Sequence, residues 1–582
     1  MNNKTKIIQM KKISFIILGF AVAIMSGCSK SQFAKDNTDP DAVLSIPPEK
    51  ELASGLLAIH SNSLDFFYDY HLAIRPWIQS FVGMSGNSSN TFTSPGNLNS
   101  RWNQFYLNVG ANLVDVIHLI DIMPADKQAQ YQFMRAATRI PLAYFAFYVS
   151  DVNGSIPYTN GFQARYTIPP NLTPTYNTQE NLYDTLDAQL QASIAVLEST
   201  PSVEQVSPVG NDIYYQGDYT KWIKAANSLR LKIAMRLIKR SPAKATAIAN
   251  AVLLDKVGPI DGLSSEWVFE GTNNFNPGGN NDPNNNGHIW AGEKYMVDFM
   301  RTAKDPRIRN IYRQSDINTK DIFDSAQAQG KLPAALIWDT TGYRGAWAAP
   351  NASATQPGYY FGPLNFSYKG SQISAYWTSH IQERMIYAQE SSSPFGGGTA
   401  GTGYNYFPVI TYADVCFMRA ELKQRGLSND PMTVKELYEN GVTASITDYD
   451  KWANAAKVYQ YTPLDAAEIT TYLSMPGVAF DAANALEQIC DQAFIDFYVN
   501  PNEAWALVKR TGYPSSTGKI MKLEDLSTGS SPVVMPRRYV ITFPVLGDLN
   551  YQNAADAINA MKADPGFGEI SDITGRVWWD MP

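Results

Sequence analysis

The chain has 582 residues, of which 45% are apolar and 17% charged, with a mean hydropathy of -0.24, and this balance excludes a disordered chain. The formal net charge is -7 and no segment is dense in Lys or Arg, so nucleic acid is not expected as a partner. Aromatic residues make up 12% of the chain, which fits ordinary helix packing or stacking surfaces for neutral ligands.

The N-terminal segment predicts the compartment. Lysines precede an apolar run from Ile13 to Met25, and the string Ser26-Gly27-Cys28 follows. A basic segment, a short apolar segment and small residues before a cleavage point are typical of a secretory signal peptide. The apolar run of about 13 residues is too short to span a bilayer. The ending resembles a bacterial lipobox, which predicts a lipoprotein signal peptide over residues 1–27 and lipid on Cys28. The alternative is an ordinary signal peptide with an incidental cysteine.

The remaining cysteines do not form a disulfide framework. Only Cys416 and Cys490 follow the signal, and both lie in apolar, helix-like stretches, so we expect buried small apolar side chains. No other stretch has the apolar length of a transmembrane helix. Residues 28–45 are polar and poor in aromatics, which indicates a flexible, lipidated tether.

Apolar residues recur at helical spacing through much of the chain, which predicts a mainly α fold. Pro141 predicts a kink or a start within the second of the predicted helices. Short helix pairs with tight turns are typical of TPR-like stacking, although the TPR sequence motif itself is not met. Residues 257–405 are rich in Gly, Asn, Pro and Ser, and residues 512–582 are predicted to be irregular. The predicted helices cover residues 101–123, 127–149, 179–197, 219–238, 242–254, 293–302, 410–425, 434–447, 466–473, 482–499 and 503–510.

The common catalytic motifs are missing from the sequence. It contains no HExxH, no CxxC and no GxSxG, so zinc catalysis and a nucleophile elbow have no support. The GxGxxG string at 396–401 lacks the flanking strand and helix of a dinucleotide site, and we interpret it as a loop. Residues 273–286 could offer oxygen ligands to calcium, but they hold one acid, Asp282, and lack EF-hand spacing, so a surface loop is the preferred interpretation. Chance carboxylate pairs for glycoside hydrolysis stay open, because the chain has 54 acids.

Several strings, in chain order, resemble those of one family. Residues 219–236 (YTKWIKAANSLRLKIAMR) resemble the signature helix of the SusD/RagB-like outer-membrane lipoproteins of Bacteroidetes. These strings extend over nearly the whole mature chain. The other matching strings are DVNGSIPY at 151–158, PTYNTQENLY at 174–183, KDPR at 304–307, TYADVCFMRAE at 411–421, LYENGV at 437–442, NEAW at 502–505, RTGYP at 510–514, MPRR at 535–538 and WWD at 578–580.

The resemblance implies a fold and a function. It implies one SusD-like domain over residues 46–582, in which 46–255 and 406–511 form a superhelical scaffold of TPR-like helix pairs and 256–405 and 512–582 form a loop-rich lobe packed on it. It also implies a lipid anchor in the outer membrane facing the exterior, and capture of oligosaccharides, or of peptides in some members, for a SusC-like TonB-dependent transporter. No chemistry on the ligand and no cofactor are expected, with structural calcium left open. The acidic run that often follows the lipidated cysteine of surface-exposed members is missing here.

The candidate ligand residues are argued from chemistry. A sugar ring has apolar C–H faces that stack on aromatic rings exposed on loops. Trp102, Trp222 and Trp505 lie on predicted helices and are expected in the core, and Trp578 and Trp579 match the family's terminus. Asn281 and Asp282 are candidate partners for sugar hydroxyls. The loop aromatics, each of which could instead anchor a loop in the smaller lobe, are Trp77, Trp290, Tyr343, Trp347, Tyr359, Tyr360 and Trp377.

Three classes of function remain. The leading hypothesis is a non-catalytic nutrient-binding lipoprotein, with a peptide-binding member of the same family as its variant. The second is a secreted glycoside hydrolase, which needs two carboxyl groups about 5–10 Å apart in an aromatic cleft. The third is a structural surface lipoprotein or adhesin, which would have no concave aromatic site.

Overall fold

The computed structural model describes residues 46–60, 70, 72–93, 100–271, 290–386, 405–542 and 544–582. The chain divides into two units, residues 1–47 and 48–582, and only residues 46 and 47 of the first are described. Several predictions therefore lie outside the described residues: the signal peptide, the lipid site at Cys28 and the tether over 28–45. The same holds for the Gly string at 396–401 and the Asn-rich segment 273–286 with Asn281 and Asp282.

The described chain is mainly helical, and the predicted fold class is confirmed. The TPR-like superhelical arrangement stays a prediction. A π-helical turn, Phe105–Val109, joins α4 to α5. The helices are α1 Pro48–Ala58, α2 Arg75–Trp77, α3 Asn90–Thr93, α4 Ser100–Gln104, α5 Gly110–Asp121, α6 Ala125–Asn153, α7 Gln179–Leu197, α8 Tyr219–Leu237, α9 Pro242–Leu254, α10 Lys294–Thr302, α11 Ile308–Ile311, α12 Lys320–Ala328, α13 Ala352–Thr355, α14 Tyr412–Gln424, α15 Val434–Ala456, α16 Ala466–Leu473, α17 Ala485–Asp496, α18 Pro501–Thr511 and α19 Tyr551–Lys562.

The strands are short and pair in twos. Every pair within the described ranges is antiparallel, and two of them join segments far apart in sequence, β1 with β3 and β2 with β6. Hairpins form the other two, β4 with β5 and β7 with β8. The strands are β1 Phe81–Gly83, β2 Trp267–Glu270, β3 Trp290–Gly292, β4 Leu364–Tyr368, β5 Ser371–Ala375, β6 Tyr406–Ile410, β7 Ser527–Thr528 and β8 Ser531–Pro532.

Side-chain caps set where several helices begin. The Thr178 hydroxyl accepts from Asn181 N–H at the start of α7, and the Asp218 carboxylate accepts from Thr220 N–H and Lys221 N–H at the start of α8. These caps satisfy backbone donors that have no partner within the helix. Pro141 does not start a helix, since α6 runs from Ala125 to Asn153 with this proline inside it. The kink stays a prediction.

Two apolar cores organise the helices. Consecutive helices from α5 to α9 pack on one another with α1, and Trp222 is buried there. Helices α14, α15, α17 and α18 enclose the second core, which holds Trp505. The predicted burial of these two tryptophans, of Cys416 and of Cys490 is confirmed.

One helix lies where an irregular tail was predicted. The described part of the loop-rich segment 257–405 holds only short helices, as expected, of which α12 is one, whereas α19 lies in the tail predicted to be irregular. In α19 the buried residues are Ala554 and Ile558, so its apolar stripe is too narrow to stand out in the sequence. None of the helices in the described ranges combines the length and apolarity needed to cross a membrane.

Candidate functional site

Strand β3 brings three distant segments of the chain together. Its partner β1 places Gly83 opposite Trp290 and leads into the loop of residues 83–91. Gly292 N–H donates to Ser379 O, and Gly292 O accepts from Ala346 N–H at 2.9 Å. The segments around residues 83, 346 and 379 therefore meet at one strand.

A cavity of about 300 Å³ opens beside this strand; we call it the first cavity. None of the described residues that line it carries a charge. Ligand pockets in proteins typically combine apolar walls with a few polar groups. This lining has both and carries no charge, so it suits a neutral, partly polar ligand. The lining residues are Leu72, Gly83, Met84, Ser85, Gly86, Asn87, Ser88, Thr91, Trp290 and Tyr376.

Hydrogen bonds fix the loop of residues 83–91 in place. The Asn87 side chain accepts from Gly83 N–H at 3.1 Å and donates to Ala348 O at 2.9 Å. Met84 O accepts from Gly362 N–H at 2.7 Å. The wall of the first cavity is thus tied to the segment next to Trp347 and to the segment that follows Tyr360.

Three of the predicted aromatics form one cluster at this place. The rings of Trp347 and Tyr360 lie 4.6 Å apart in a T-shaped arrangement, and those of Tyr359 and Tyr360 lie 4.7 Å apart. All three side chains are half-buried, so part of each ring faces solvent. The Lys294 ammonium lies 5.3 Å from the centre of the Trp347 ring, within the range of a cation–π contact. We call Trp347, Tyr359 and Tyr360 the aromatic cluster.

The expectation of exposure is wrong for three other candidates. Trp77, Trp290 and Trp377 are 1%, 5% and 3% exposed, because each ring packs into a core. Trp77 lies in the short helix α2, and its indole N–H donates to Thr91 O at 2.7 Å, so it holds one end of the loop of residues 83–91. Trp290 still reaches the lining of the first cavity.

Trp377 lies beneath the aromatic cluster. Its ring is 6.0 Å from that of Tyr359, and the Arg344 guanidinium lies 3.9 Å from its centre. Burial lowers the pKa of Arg344 to about 10, although the group still donates to Ser315 Oγ at 2.6 Å. Trp377 is therefore placed to support the cluster by packing.

Tyr343 does not join the cluster. Its half-buried ring packs against the second core, and burial raises the pKa of its hydroxyl to about 12. The structure thus places six of the seven predicted aromatics around the first cavity and the aromatic cluster, with Trp77 joined to them only through the loop that it supports. Tyr343 lies apart from them.

Two carboxyl groups lie behind the aromatic cluster. Glu293 caps α10 by accepting from Met296 N–H at 2.9 Å, and burial raises its pKa to about 8. Glu524 accepts from Ala348 N–H at 2.6 Å and Ala349 N–H at 3.0 Å. Burial raises the pKa of Glu524, and the two N–H donors oppose that rise. Both groups hold backbone and do not line the first cavity.

The first cavity holds no catalytic or metal-binding constellation in its described lining. No carboxyl group or histidine lies there, so the two carboxyls that a glycoside hydrolase needs are not supplied by these residues. In the part of the chain that the structure describes, no three His, Cys, Asp or Glu side chains group as metal ligands.

Sequence reasoning missed half of this site. The loop of residues 83–91 and Tyr376 carried no motif, because their place in the site depends on the pairing of β1 with β3 and on the contact of residue 379 with Gly292. A possible signal was the small, polar composition of the loop (Gly83-Met-Ser-Gly-Asn-Ser-Ser) beside an apolar strand.

The sequence matches a family profile over most of its length. The SusD-like profile, described as "Starch-binding associating with outer membrane", matches residues 65–332 and 348–544. No curated protein is significantly similar to the chain in sequence.

Solved structures share the fold. A chitin-binding protein aligns with a TM-score of 0.66 and 21% identity, covering 92% of this chain and 100% of its own. A SusD-like protein from Bacteroidetes aligns with a TM-score of 0.64 and the same identity and coverage. A chitin-binding SusD homologue from Flavobacterium johnsoniae aligns with a TM-score of 0.60 and 20% identity, covering 91% of this chain and 98% of its own.

Proposed function

This chain belongs to the SusD-like family, and from that premise we propose that it captures neutral oligosaccharides without altering them and passes them to a SusC-like TonB-dependent transporter. The family is described as starch-binding and associated with the outer membrane, which supports a carbohydrate-binding nutrient protein. The lipobox adds the proposal that a lipid on Cys28 holds the protein in that membrane, facing the exterior.

One observation supports the ligand class most strongly. The 83–91 loop lines a cavity whose described lining has no charge, and it hydrogen-bonds to Ala348 and Gly362, in the segments that carry the aromatic cluster of Trp347, Tyr359 and Tyr360. Partly exposed rings offer apolar faces to the C–H faces of sugars, while Asn87, Ser85 and Ser88 offer polar atoms nearby. A neutral chain of sugars matches this combination better than a charged ligand, which would lose hydration without gaining a counter-charge.

The same lining supports the proposal of non-catalytic binding. Glycoside hydrolysis needs an acid and a base or nucleophile on either side of the scissile bond. Glu293 and Glu524, which lie near the cluster, are engaged with backbone N–H groups. We therefore propose that the bound oligosaccharide leaves the site intact.

The test is a calorimetric titration of the soluble chain from residue 29 onward. Because the family is described as starch-binding and two of the solved relatives as chitin-binding, maltoheptaose and chitohexaose head a panel of glycans and peptide mixtures. We expect at least one neutral oligosaccharide to bind and to be recovered uncleaved.

A substitution in the aromatic cluster makes the same test specific. Trp347→Ala should weaken binding about tenfold, because it removes a stacking surface. Trp578→Ala, which removes a half-buried indole that packs against Arg240 at 5.1 Å, is the control and should bind as the parent does. Binding of peptides alone would favour the peptide-binding variant, and cleaved glycans would favour the hydrolase.

A further inference from the structure

A second cavity lies against the C-terminal helix α19 and shares no lining residue with the first. Its volume is about 280 Å³, and its walls come from α4, from the end of α6, from Tyr176 and from the segment before α19, in which residue 543 lies outside the described residues. The rings of Trp102 and Tyr176 lie 6.3 Å apart, with 29° between their planes. The buried side chains of Ala554 and Ile558 complete the apolar part of the lining.

Two polar residues with little exposed surface offer hydrogen-bonding atoms to this cavity. Asn153 and Ser155 are each 5% exposed. The Asn153 amide nitrogen donates to Val149 O at 2.9 Å, which leaves its Oδ1 as an acceptor. Within the described part of the chain, neither this Oδ1 nor the Ser155 hydroxyl has a protein hydrogen-bond partner, and both residues line the cavity, so solvent or a ligand reaches these atoms. The pair therefore offers an acceptor and a hydroxyl group to an occupant of the cavity.

The chemistry of the lining limits that occupant. No charged side chain is among the described residues that line the cavity, so an ionic ligand would be desolvated without compensation. A purely apolar ligand would leave the Asn153 oxygen and the Ser155 hydroxyl unpaired. The volume lies just below the range of cavities that hold drug-sized molecules, and so suits a single ring. A sugar ring offers hydroxyl donors to Asn153 and apolar C–H groups to Trp102 and Tyr176.

We propose that this second cavity binds one neutral pyranose residue, independently of the site at the aromatic cluster. The inference rests on the polar groups of Asn153 and Ser155 that line the second cavity and on its neutral, partly aromatic walls. It would therefore stand even if the first cavity took another class of ligand.

The experiment compares four forms of the soluble chain from residue 29 onward by saturation-transfer NMR. The probes are the methyl pyranosides of glucose, galactose, mannose and N-acetylglucosamine. Ala554→Leu fills the second cavity, and Ala560→Leu, at an exposed position of the same helix outside this lining, is the matched control. Trp347→Ala removes the main ring of the aromatic cluster. We expect at least one pyranoside to show transfer with the parent and with Ala560→Leu, and at least fivefold less with Ala554→Leu. Trp347→Ala, which removes a ring of the first site, should lose only the transfer that comes from that site and keep the transfer from the second cavity.

A milder variant covers the case in which Ala554→Leu does not fold. Ser155→Ala removes only a hydroxyl and should weaken the affinity for the same pyranoside about threefold. Equal transfer in the parent and in both cavity variants would overturn the proposal. Loss of all transfer in Trp347→Ala would also overturn it, because the monosaccharide would then bind at the first cavity, and the proposed function would stand. If no pyranoside binds the parent, the second cavity holds only water, and the proposal fails.

Discussion

At the scale of single residues, Glu524 holds the segment that carries Trp347. Its carboxylate accepts from two successive N–H groups, those of Ala348 and Ala349, and its backbone pairs with the Gln79 side chain at 2.7 and 2.8 Å. Such a contact positions the aromatic ring without touching the ligand, so its removal should act on affinity through the order of the loop.

Glu524→Ala should therefore weaken oligosaccharide binding by about three- to tenfold, while Glu524→Gln, which keeps an acceptor oxygen, should restore most of the parent affinity. Calorimetric titration of both variants checks this. Equal affinities for the parent and the alanine variant would show that the segment keeps its place without the carboxylate.

Glu293 gives a prediction about pH. Burial raises its pKa from 4.5 to about 8, so between these values the native state holds a proton that the unfolded state has released. The contribution of Glu293 to stability is therefore lost as the pH rises from about 5 to 8. Glu293→Gln cannot ionise, so the Tm of the parent should fall relative to that of the variant across this range.

Scanning calorimetry from pH 5 to pH 8 measures the two Tm values. The other buried acids and histidines titrate in both proteins and cancel in the difference. Glu204→Gln, at an exposed position, is the control and should follow the parent. Parallel curves for Glu293→Gln and the parent would contradict the raised pKa.

At the scale of elements, the approach of the Trp347 segment to β3 depends on Gly345. A Cβ atom at Gly345 would lie 2.5 Å from Lys294 Cα and 2.6 Å from Glu293 O, and neither backbone atom can move aside easily. Gly358 lies further along the same part of the chain, and a Cβ atom there would have no heavy atom within 4 Å.

Gly345→Ala should therefore lower the free energy of unfolding by about 1–3 kcal/mol and weaken oligosaccharide binding, because the segment with Trp347 must shift. Gly358→Ala should change neither quantity. Chemical denaturation and calorimetric titration give the two readouts, and a Gly345→Ala protein that matches the parent in both would refute the close approach.

The helices show how far local sequence signals reach. Helices α7, α9 and α16 agree with their predicted bounds, because a capping side chain or a proline in the first turn marks each start and apolar spacing marks the length. Pro141 is not a helix start, since α6 continues through it although the intrinsic propensity of proline disfavours the middle of a helix. Helix α19 was missed, because an alanine-rich segment with two buried residues has little periodic signal.

At the scale of the whole molecule, the candidate site was only partly predictable. Its aromatic residues could be named from loop composition and ring chemistry, and the cluster of Trp347, Tyr359 and Tyr360 brings three of them together. Whether a given ring would be exposed could not be predicted, because Trp77, Trp290 and Trp377 are buried by contacts between segments far apart in sequence. The first cavity itself results from the pairing of residues 81–83 with 290–292.

The proposed lipid anchor predicts the location of the protein in the cell. Cys28→Ser should move most of the protein out of the membrane fraction, because the lipid is its proposed attachment to the bilayer. Fractionation and immunoblotting measure the distribution, with Cys416→Ser, a substitution of a buried cysteine, as the control. Retention of the Cys28→Ser protein in the outer membrane would point to an attachment other than the lipid.

The structure of the soluble chain in complex with its tightest-binding oligosaccharide tests the central claim most directly. The account predicts that a sugar ring stacks on Trp347, next to Tyr360, and that the adjoining sugar enters the first cavity near Asn87 and Trp290. An oligosaccharide bound elsewhere on the chain, with the aromatic cluster uncovered, would contradict the account.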